Sequence, residues 1–359
     1  MPRGKAREVR EYTSAGRLPG MAQGGTAVSK VKFGVIGLGW FGEKHCEALA
    51  SLPNVELYSL CTRTKSRLKE VAQRFGVKKT FTDYNEMLAD PELEAVNIVT
   101  MWDQHAAPTL AALKAGKHVF CEKPMASTMA DCRKMVAAAQ KAKGFFMVGH
   151  ICRFNPRYAL AKRAIEEGRI GKIVSMSARR NLPRWIVTGV LPKNGPIIGD
   201  GVHDTDLMLW LTGAKIVSAY AQTVEIRGLG NPDIGQTMYR FDSGATAILE
   251  QVWFLPENSA MQIDERLEVV GTEGSIQVND TTPNFFVCDK DGVRYPDTTY
   301  WSTYYGKLWG ALPAELQYFA DCCLKGEPPT VVPAEESMAA VEACLAAEKS
   351  AATGRIVKL

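Results

Sequence analysis

Three glycines in the stretch FGVIGLGWFG, residues 33–42, are spaced as Gly37-x-Gly39-x-x-Gly42. That spacing can hold a dinucleotide when a strand runs into it and a helix leaves it. Val31, Phe33, Val35 and Ile36 read as the buried strand. Phe41, His45, Leu49 and Leu52 recur at the three- and four-residue intervals of a helix. In that setting Gly37 makes the tight turn, Gly39 leaves no Cβ between backbone and pyrophosphate, and Gly42 lets helix and strand lie close. The helix N-terminus adds free N–H groups and a positive dipole end for the phosphates. Trp40 and Phe41 fall inside the loop. An acidic residue about 20 positions past the glycines would accept from both ribose hydroxyls of NAD. The stretch CTRTKSR offers Thr62, Arg63, Thr64, Lys65 and Arg67 instead, and no carboxylate. That suits a 2′-phosphate, so NADP is the expected cofactor, with NAD as the alternative.

A second group of residues could handle a proton. His203 has Asp200 three positions before it and Asp206 three after. Helical spacing can bring such side chains to one face. An imidazole beside a carboxylate is held in one tautomer and made more basic, which is what a general base needs. The other readings are a hydrogen-bonded structural histidine and a metal site built from the three residues, and Asp200 could simply cap a helix.

These residues need elements to position them. VELYSLCT (55–62), AVNIVT (95–100), HVFCEKP (118–124) and FFMVGH (145–150) read as strands. Helices fall between them over 66–76, 106–116 and 128–144, which predicts an α/β fold opening with a doubly wound parallel sheet over residues 31–150. From about 172 to 290 the pattern changes to strands of alternating polarity, with one inserted helix near 201–212. Residues 151–333 therefore read as an α/β domain with a large, mostly antiparallel open sheet. A last helix and tail, 334–359, are expected to pack back on the first domain. Residues 1–30, rich in Gly, Arg and Lys without a periodic apolar face, read as a disordered leader, with Met21 as a natural alternative start.

Composition narrows the class. The chain has 359 residues, 46% hydrophobic and 23% charged, with a net charge of +4, too small and dispersed to point to nucleic acid. No apolar run reaches the ~18–20 residues of a membrane helix. Nine cysteines lie mostly in apolar segments without a C-x-x-C pair or zinc spacing, as in a cytoplasmic protein with reduced thiols.

Over residues 31–359 the chain resembles the glucose–fructose oxidoreductase / inositol dehydrogenase (Gfo/Idh/MocA) family. The resemblance is carried by GVIGLGWFGEKH, AGKHVFCEKPMA (115–126), GHICRFNPRY (149–158), GDGVHDTDLMLWLTG (199–213) and the closing AEKSAATGRIVKL. It implies a Rossmann domain followed by an α/β domain whose open sheet serves a homodimer or homotetramer. It also implies hydride transfer between NAD(P) and a sugar, polyol or inositol. Two alternatives share these residues: a glycosidase using transient oxidation by bound NAD⁺, and a dinucleotide-binding regulator without turnover.

Such chemistry requires a base for the hydroxyl proton and a positive group for the developing oxyanion. By resemblance Lys123, in Glu122-Lys123-Pro124 at the C-terminal edge of a parallel strand, is the active-site lysine, with His203 as base and Asp200 in support. Glu122 pairs with a nearby cation or touches the nicotinamide ribose. The family often carries a carboxylate four residues before the histidine; this chain has Gly199 there and Asp200 one step later. VTMWDQH (99–105) occupies the loop that runs along the cofactor, which brings in Thr100, Trp102 and His105, with core packing or helix capping as other roles for the last two. Arg153, Asn155, Tyr158, Arg180, Arg184 and Trp185 are candidates for substrate contact or, equally, for structure.

Overall fold

The computed structural model describes residues 29–279, 285–290 and 292–359. The leader expected over 1–30 lies, but for its last two positions, outside the described residues. β1 (Val31–Ile36) pairs in parallel with β2 (Val55–Cys61) on one side and β4 (Ala95–Ile98) on the other. With β3 (Lys79–Phe81), β5 (His118–Glu122) and β6 (Phe146–Gly149) they form a six-stranded parallel sheet in the order β3-β2-β1-β4-β5-β6. β1, β4 and β6 are almost continuously apolar because helices cover both sheet faces, leaving no solvated side to alternate with. Those helices are α1 (Trp40–Ser51), α2 (Lys65–Phe75), α3 (Tyr84–Leu88), α4 (Ala106–Lys114) and α5 (Met129–Ala139). β3 and α3, three and five residues long, are too short to show a period in the sequence. The strand order reverses between β1 and β4, which opens a crevice at their C-terminal ends.

α6 (Pro156–Glu166) leads into the second sheet, and the Asn155 side chain caps it by accepting from the Arg157 N–H at 3.0 Å. The sheet is built from β7 (Ile173–Asn181), β8 (Ile216–Val224), β9 (Ile234–Phe241), β10 (Thr246–Val252), β11 (Asp264–Gly271) and β12 (Ser275–Asn279). Its order is β12-β11-β7-β10-β9-β8-β17, with β17 (Val357–Lys358) at one edge. β7 and β10 run parallel and the other neighbours antiparallel, which is the mostly antiparallel sheet expected. β9 buries every second residue, as a sheet with one covered face must. Short helices α7 (Arg184–Val187) and α8 (Pro196–Gly199) precede α9 (Gly201–Thr212), which lies on β7 and β10. Two small hairpins follow, β13 (Val287–Asp289) with β14 (Gly292–Arg294) and β15 (Ser302–Tyr304) with β16 (Lys307–Trp309).

Two closing helices join the halves. α10 (Ala311–Lys325), which the sequence reading omitted, packs on α1 and β1, with Phe319 edge-on to Phe33 at 6.2 Å. α11 (Ala334–Thr353) touches α5 and β6 of the first sheet, but lies chiefly against β8 and α9.

The glycine loop is shaped by contact distances. A Cβ on Gly42 would stand 2.0 Å from the Gly37 carbonyl oxygen, and one on Gly37, at φ +98°, 2.5 Å from the Val99 carbonyl oxygen. A Cβ on Gly39 would meet nothing within 4 Å. The loop is therefore closed where it packs and open where a phosphate would lie. Alanine normally stabilises a helix over glycine by about 1 kcal/mol. Gly42→Ala is expected to do the opposite, lowering stability by about 1–3 kcal/mol through overpacking and weakening dinucleotide binding at least tenfold. Denaturant melts and cofactor titration check both.

Candidate active site

β5 ends at Glu122, which delivers Lys123 to the C-terminal edge of the first sheet. The Lys123–Pro124 peptide is cis. The Lys123 ammonium crosses to the second domain, donating to the Gly199 carbonyl at 2.9 Å and lying 3.4 Å from Asp200 Oδ1. The other carboxylate oxygen, Asp200 Oδ2, accepts from Trp253 Nε1 at 3.0 Å. Asp200 stands at the N-cap position of α9 but makes no side-chain capping bond. The departure at residue 199 has a steric cause: a Cβ there would lie 2.5 Å from the Trp253 ring and 2.8 Å from Asn194 Nδ2. The carboxylate comes one residue later and still reaches the lysine.

His203 is buried one turn into α9, with Nδ1 3.7 Å from Cys152 Sγ. The expected carboxylate partner is not there, because the flanking acids are committed elsewhere: Asp200 to Lys123 and Trp253, Asp206 to Arg153. Burial, reinforced by the Lys123 and Arg180 charges, holds the His203 pKa well below that of an ordinary histidine. The ring is held neutral, with a lone pair on one nitrogen but less basic than an ordinary histidine. Carboxylates face other histidines instead: Glu122 faces His45, and Asp206 Oδ2 lies 3.5 Å from Nδ1 of His150. Burial pushes the His150 pKa down to about 4. The sequence reading passed over this histidine, although its place at the end of the last parallel strand was a usable signal.

Four residues expected at the substrate are spent inside the second domain. Arg153 donates to both oxygens of Asp206 at 2.9 and 2.6 Å, to the Val331 carbonyl at 2.8 Å and to Glu336 at 2.6 Å. Arg180 pairs with Asp204 at 2.9 Å and with Glu265 at 3.0 Å. The Tyr158 hydroxyl donates to Glu265 at 2.5 Å, and Asn155 caps α6. All four are buried, and the two arginines are paired because a charge in a dry core must be. Trp185 stays 54% exposed on α7, and Arg184 lies over the Phe254 ring at 5.1 Å.

The cofactor candidates also divide. Trp40 is 63% exposed at the glycine loop, its ring 5.8 Å from those of Phe41 and Trp301. Arg63 is exposed beyond β2, donating only to Gln104 Oε1 at 3.1 Å among the described bonds. Thr62 and Trp102 are half-buried nearby, and the Thr100 hydroxyl donates to the Gln104 carbonyl at 3.3 Å. Arg67 is not free for a phosphate: it donates to the Leu38 carbonyl at 2.9 Å and pairs with Glu43 and Glu70. It braces the glycine loop instead. Glu122 faces inward, 3.1 Å from His45 Nε2, rather than toward a ribose. His105 is buried, its ring nitrogens 2.9 Å from the Pro124 carbonyl and 3.0 Å from that of Thr100, so it ties two loops together.

The residues present fit a dinucleotide: an open cradle at Gly39, an uncapped α1 N-terminus and an exposed Arg63 just past the end of β2. Comparison with known proteins agrees. The model for the oxidoreductase family with an NAD-binding Rossmann fold matches residues 31–150, and the GFO/IDH/MocA C-terminal domain matches 158–277. The chain belongs to the Gfo/Idh/MocA family. It is 30% identical over 339 residues to the myo-inositol 2-dehydrogenase of Thermotoga maritima, covering 92% of this chain and 98% of that one. It is 31% identical over 341 residues to the scyllo-inositol 2-dehydrogenase (NAD(+)) of Bacillus subtilis, covering 92% and 96%. A crystal structure of a probable dehydrogenase from Thermotoga maritima superposes with a TM-score of 0.77 at 27% identity, covering 91% and 98%. The chain is thus an NAD(P)-dependent oxidoreductase acting on CH–OH groups. No helix among the described residues is long and apolar enough to cross a membrane.

If Arg153 is a structural residue, Arg153→Leu strands the buried Asp206 carboxylate and costs about 3–5 kcal/mol of stability. Thermal or urea melts read this directly; a variant of wild-type stability with a raised substrate KM would return Arg153 to the substrate.

Proposed function

We propose that the substrate is an inositol, sugar or related polyol, and that Lys123, His203 and Asp200 carry the reaction at one of its secondary hydroxyls. The observation that supports this most is the Lys123 ammonium bridging the domains to Gly199 and Asp200 beside a neutral, buried His203. When bound, NAD(P) supplies the hydride acceptor, or the donor in the reverse direction. Lys123 places its charge where alkoxide character develops on the substrate oxygen. His203 takes the hydroxyl proton, and its neutrality leaves the nitrogen lone pair available at the start. Asp200 holds the ammonium in place, fixed in turn by Trp253.

The end of β2 favours NADP in our reading. Arg63 is exposed, Thr62 lies beside it, and α2 carries no acidic residue in its first turn, which begins at Lys65. We also read the open face of the second sheet, with Tyr220, Met238 and Ile248 exposed on neighbouring strands, as the surface through which the protein forms a homodimer or homotetramer. The nine free cysteines support a cytoplasmic location.

Lys123→Met and His203→Gln are each expected to lower kcat by at least about 10² while leaving cofactor affinity nearly unchanged. Turnover is followed at the nicotinamide absorbance across a panel of inositols and sugars, and near-normal turnover in either variant removes that residue from the mechanism. A charge-assisted contact at a half-exposed phosphate is worth about 1–2 kcal/mol, discounted from the ~1.5–3 kcal/mol of a well-formed one. Arg63→Ala should therefore weaken NADP(H) about tenfold and leave NAD(H) almost untouched. Equal losses for both, or a wild type that binds NAD more tightly, would overturn the NADP preference.

A further inference from the structure

Cys152 is buried in the short turn between β6 and α6, and the reaction scheme gives it no part. Three polar groups from other parts of the second domain meet its sulfur. His203 Nδ1, from α9, lies 3.7 Å away, and the Tyr300 hydroxyl, from the segment ahead of β15, lies 3.6 Å away. Arg180 Nη2, from β7, donates to it at 3.5 Å. The large radius of sulfur makes these hydrogen-bond distances, and a cysteine can both donate and accept weakly. Burial pushes the Cys152 thiol up, so the group keeps its proton. Among the described residues the His203 ring has no other hydrogen-bond partner, and the residue keeps 8% of its surface exposed.

The protons of this network are few and each can be followed. Arg180 can only donate. Tyr300 has one hydroxyl proton, and its oxygen lies 2.7 and 2.8 Å from the two oxygens of Glu265. The Glu265 carboxylate, which also accepts from Tyr158 and Arg180, takes that proton. The phenol oxygen is then an acceptor, and Asn155 Nδ2 donates to it at 3.4 Å. The Cys152–Tyr300 contact holds a hydrogen only if the thiol gives its proton to the phenol. A thiol has one proton, so none remains for His203. The sulfur lone pairs face Arg180 and His203, and the last contact holds a hydrogen only if Nδ1 carries it. The opposite arrangement, S–H toward Nδ1, leaves sulfur and phenol oxygen facing each other with no hydrogen between them.

We propose that Cys152 is a positioning residue: its sulfur, oriented by Tyr300 and Glu265, accepts from His203 Nδ1–H and so leaves the imidazole lone pair on Nε2. The bond made by one ring nitrogen decides which tautomer a neutral histidine adopts. A carboxylate in the place of Cys152 would set the same tautomer but would also raise the basicity of the ring. The thiol sets it without adding a charge. The functional half of this inference rests on His203 being the base proposed above; the tautomer assignment does not.

The test compares wild type with Cys152→Ser, which can still donate and accept, and Cys152→Ala, which can do neither. Nitrogen-15 spectra of histidine-labelled protein report the tautomer, with the His203 signals identified by their loss in His203→Gln. Wild type and Cys152→Ser should show His203 protonated on Nδ1, and Cys152→Ala should show protonation moved chiefly to Nε2. In Cys152→Ala kcat should fall about tenfold as the productive tautomer becomes a minor species, with cofactor Kd unchanged. Cys152→Ser should keep kcat within about threefold, the same reasoning applied to a retained tautomer. A wild-type His203 protonated on Nε2 would overturn the proposal, and that spectrum decides it even if Cys152→Ala folds poorly. Equal losses of kcat in both variants with the tautomer unmoved would also overturn it, leaving Cys152 a packing residue. Failure of the His203 assignment shows separately, as near-normal turnover in His203→Gln while the tautomer of His203 still responds to Cys152→Ala.

Discussion

The bond from the Lys123 ammonium to the Gly199 carbonyl is the contact to which the rest of the site refers. It is made between the residue that follows β5 of one sheet and the end of α8, just ahead of the helix α9 that lies on the other sheet. A lysine at a sheet edge would ordinarily spread over many rotamers, and ordering its side chain costs up to about 2 kcal/mol. Here a carbonyl and a carboxylate, 2.9 and 3.4 Å away, hold it near one arrangement. Everything that sets the positions of Gly199 and Asp200 therefore sets the position of the ammonium. That includes Trp253, which both binds Asp200 and occupies the space a side chain at 199 would need.

The second domain supports this contact with an unusually polar interior. Arg153, Arg180, Asp204, Asp206 and Glu265 are all buried, and each meets an opposite charge. Replacing such pairs by apolar residues is often neutral or stabilising, so their net contribution to stability is small. What they do contribute is direction. Planar guanidinium groups accept few geometries for their carboxylate partners. α9 is gripped from two sides by Arg153 and Arg180, and the rotation of α9 decides where His203 lies.

How much of this could be read in the sequence varies with the range of the interaction. The glycine loop and its flanking strand and helix were legible because the motif is local and its sterics depend on neighbours in the chain. The second sheet was legible because alternation reports one covered face. Lys123, His203 and Asp200 were pointed out by resemblance, and the structure brings Lys123 and Asp200 together. What could not be read was which acid pairs with which cation. Asp206 stands at helical spacing from His203, yet a guanidinium 53 residues away in sequence takes it. Arg67 looked like a phosphate ligand because it follows a strand end, but Glu43 was a partner that only the fold reveals. Glu122 next to Lys123 gave no sign of facing inward. β3 and α3 were too short to show a period. α10 was simply not assigned, and its Glu315 is an acid on a buried face that pattern alone reads as solvated.

The last strand of the second sheet, β17, pairs with β8 through Val357 and Ala219, so the two partners are separated by well over a hundred residues of chain. During synthesis the parallel sheet of the first half has all six strands once residue 149 has emerged, whereas the second sheet lacks its outermost strand until residue 358 has. β8 therefore waits on the ribosome as an open edge for most of its history, and open edges are where chains pair wrongly. The strand arrives tethered to α11, which itself grips both halves. The order of synthesis is therefore fixed: the strands of the first sheet are made early, the second sheet stays one strand short, and α10, α11 and β17 come last to join the two halves.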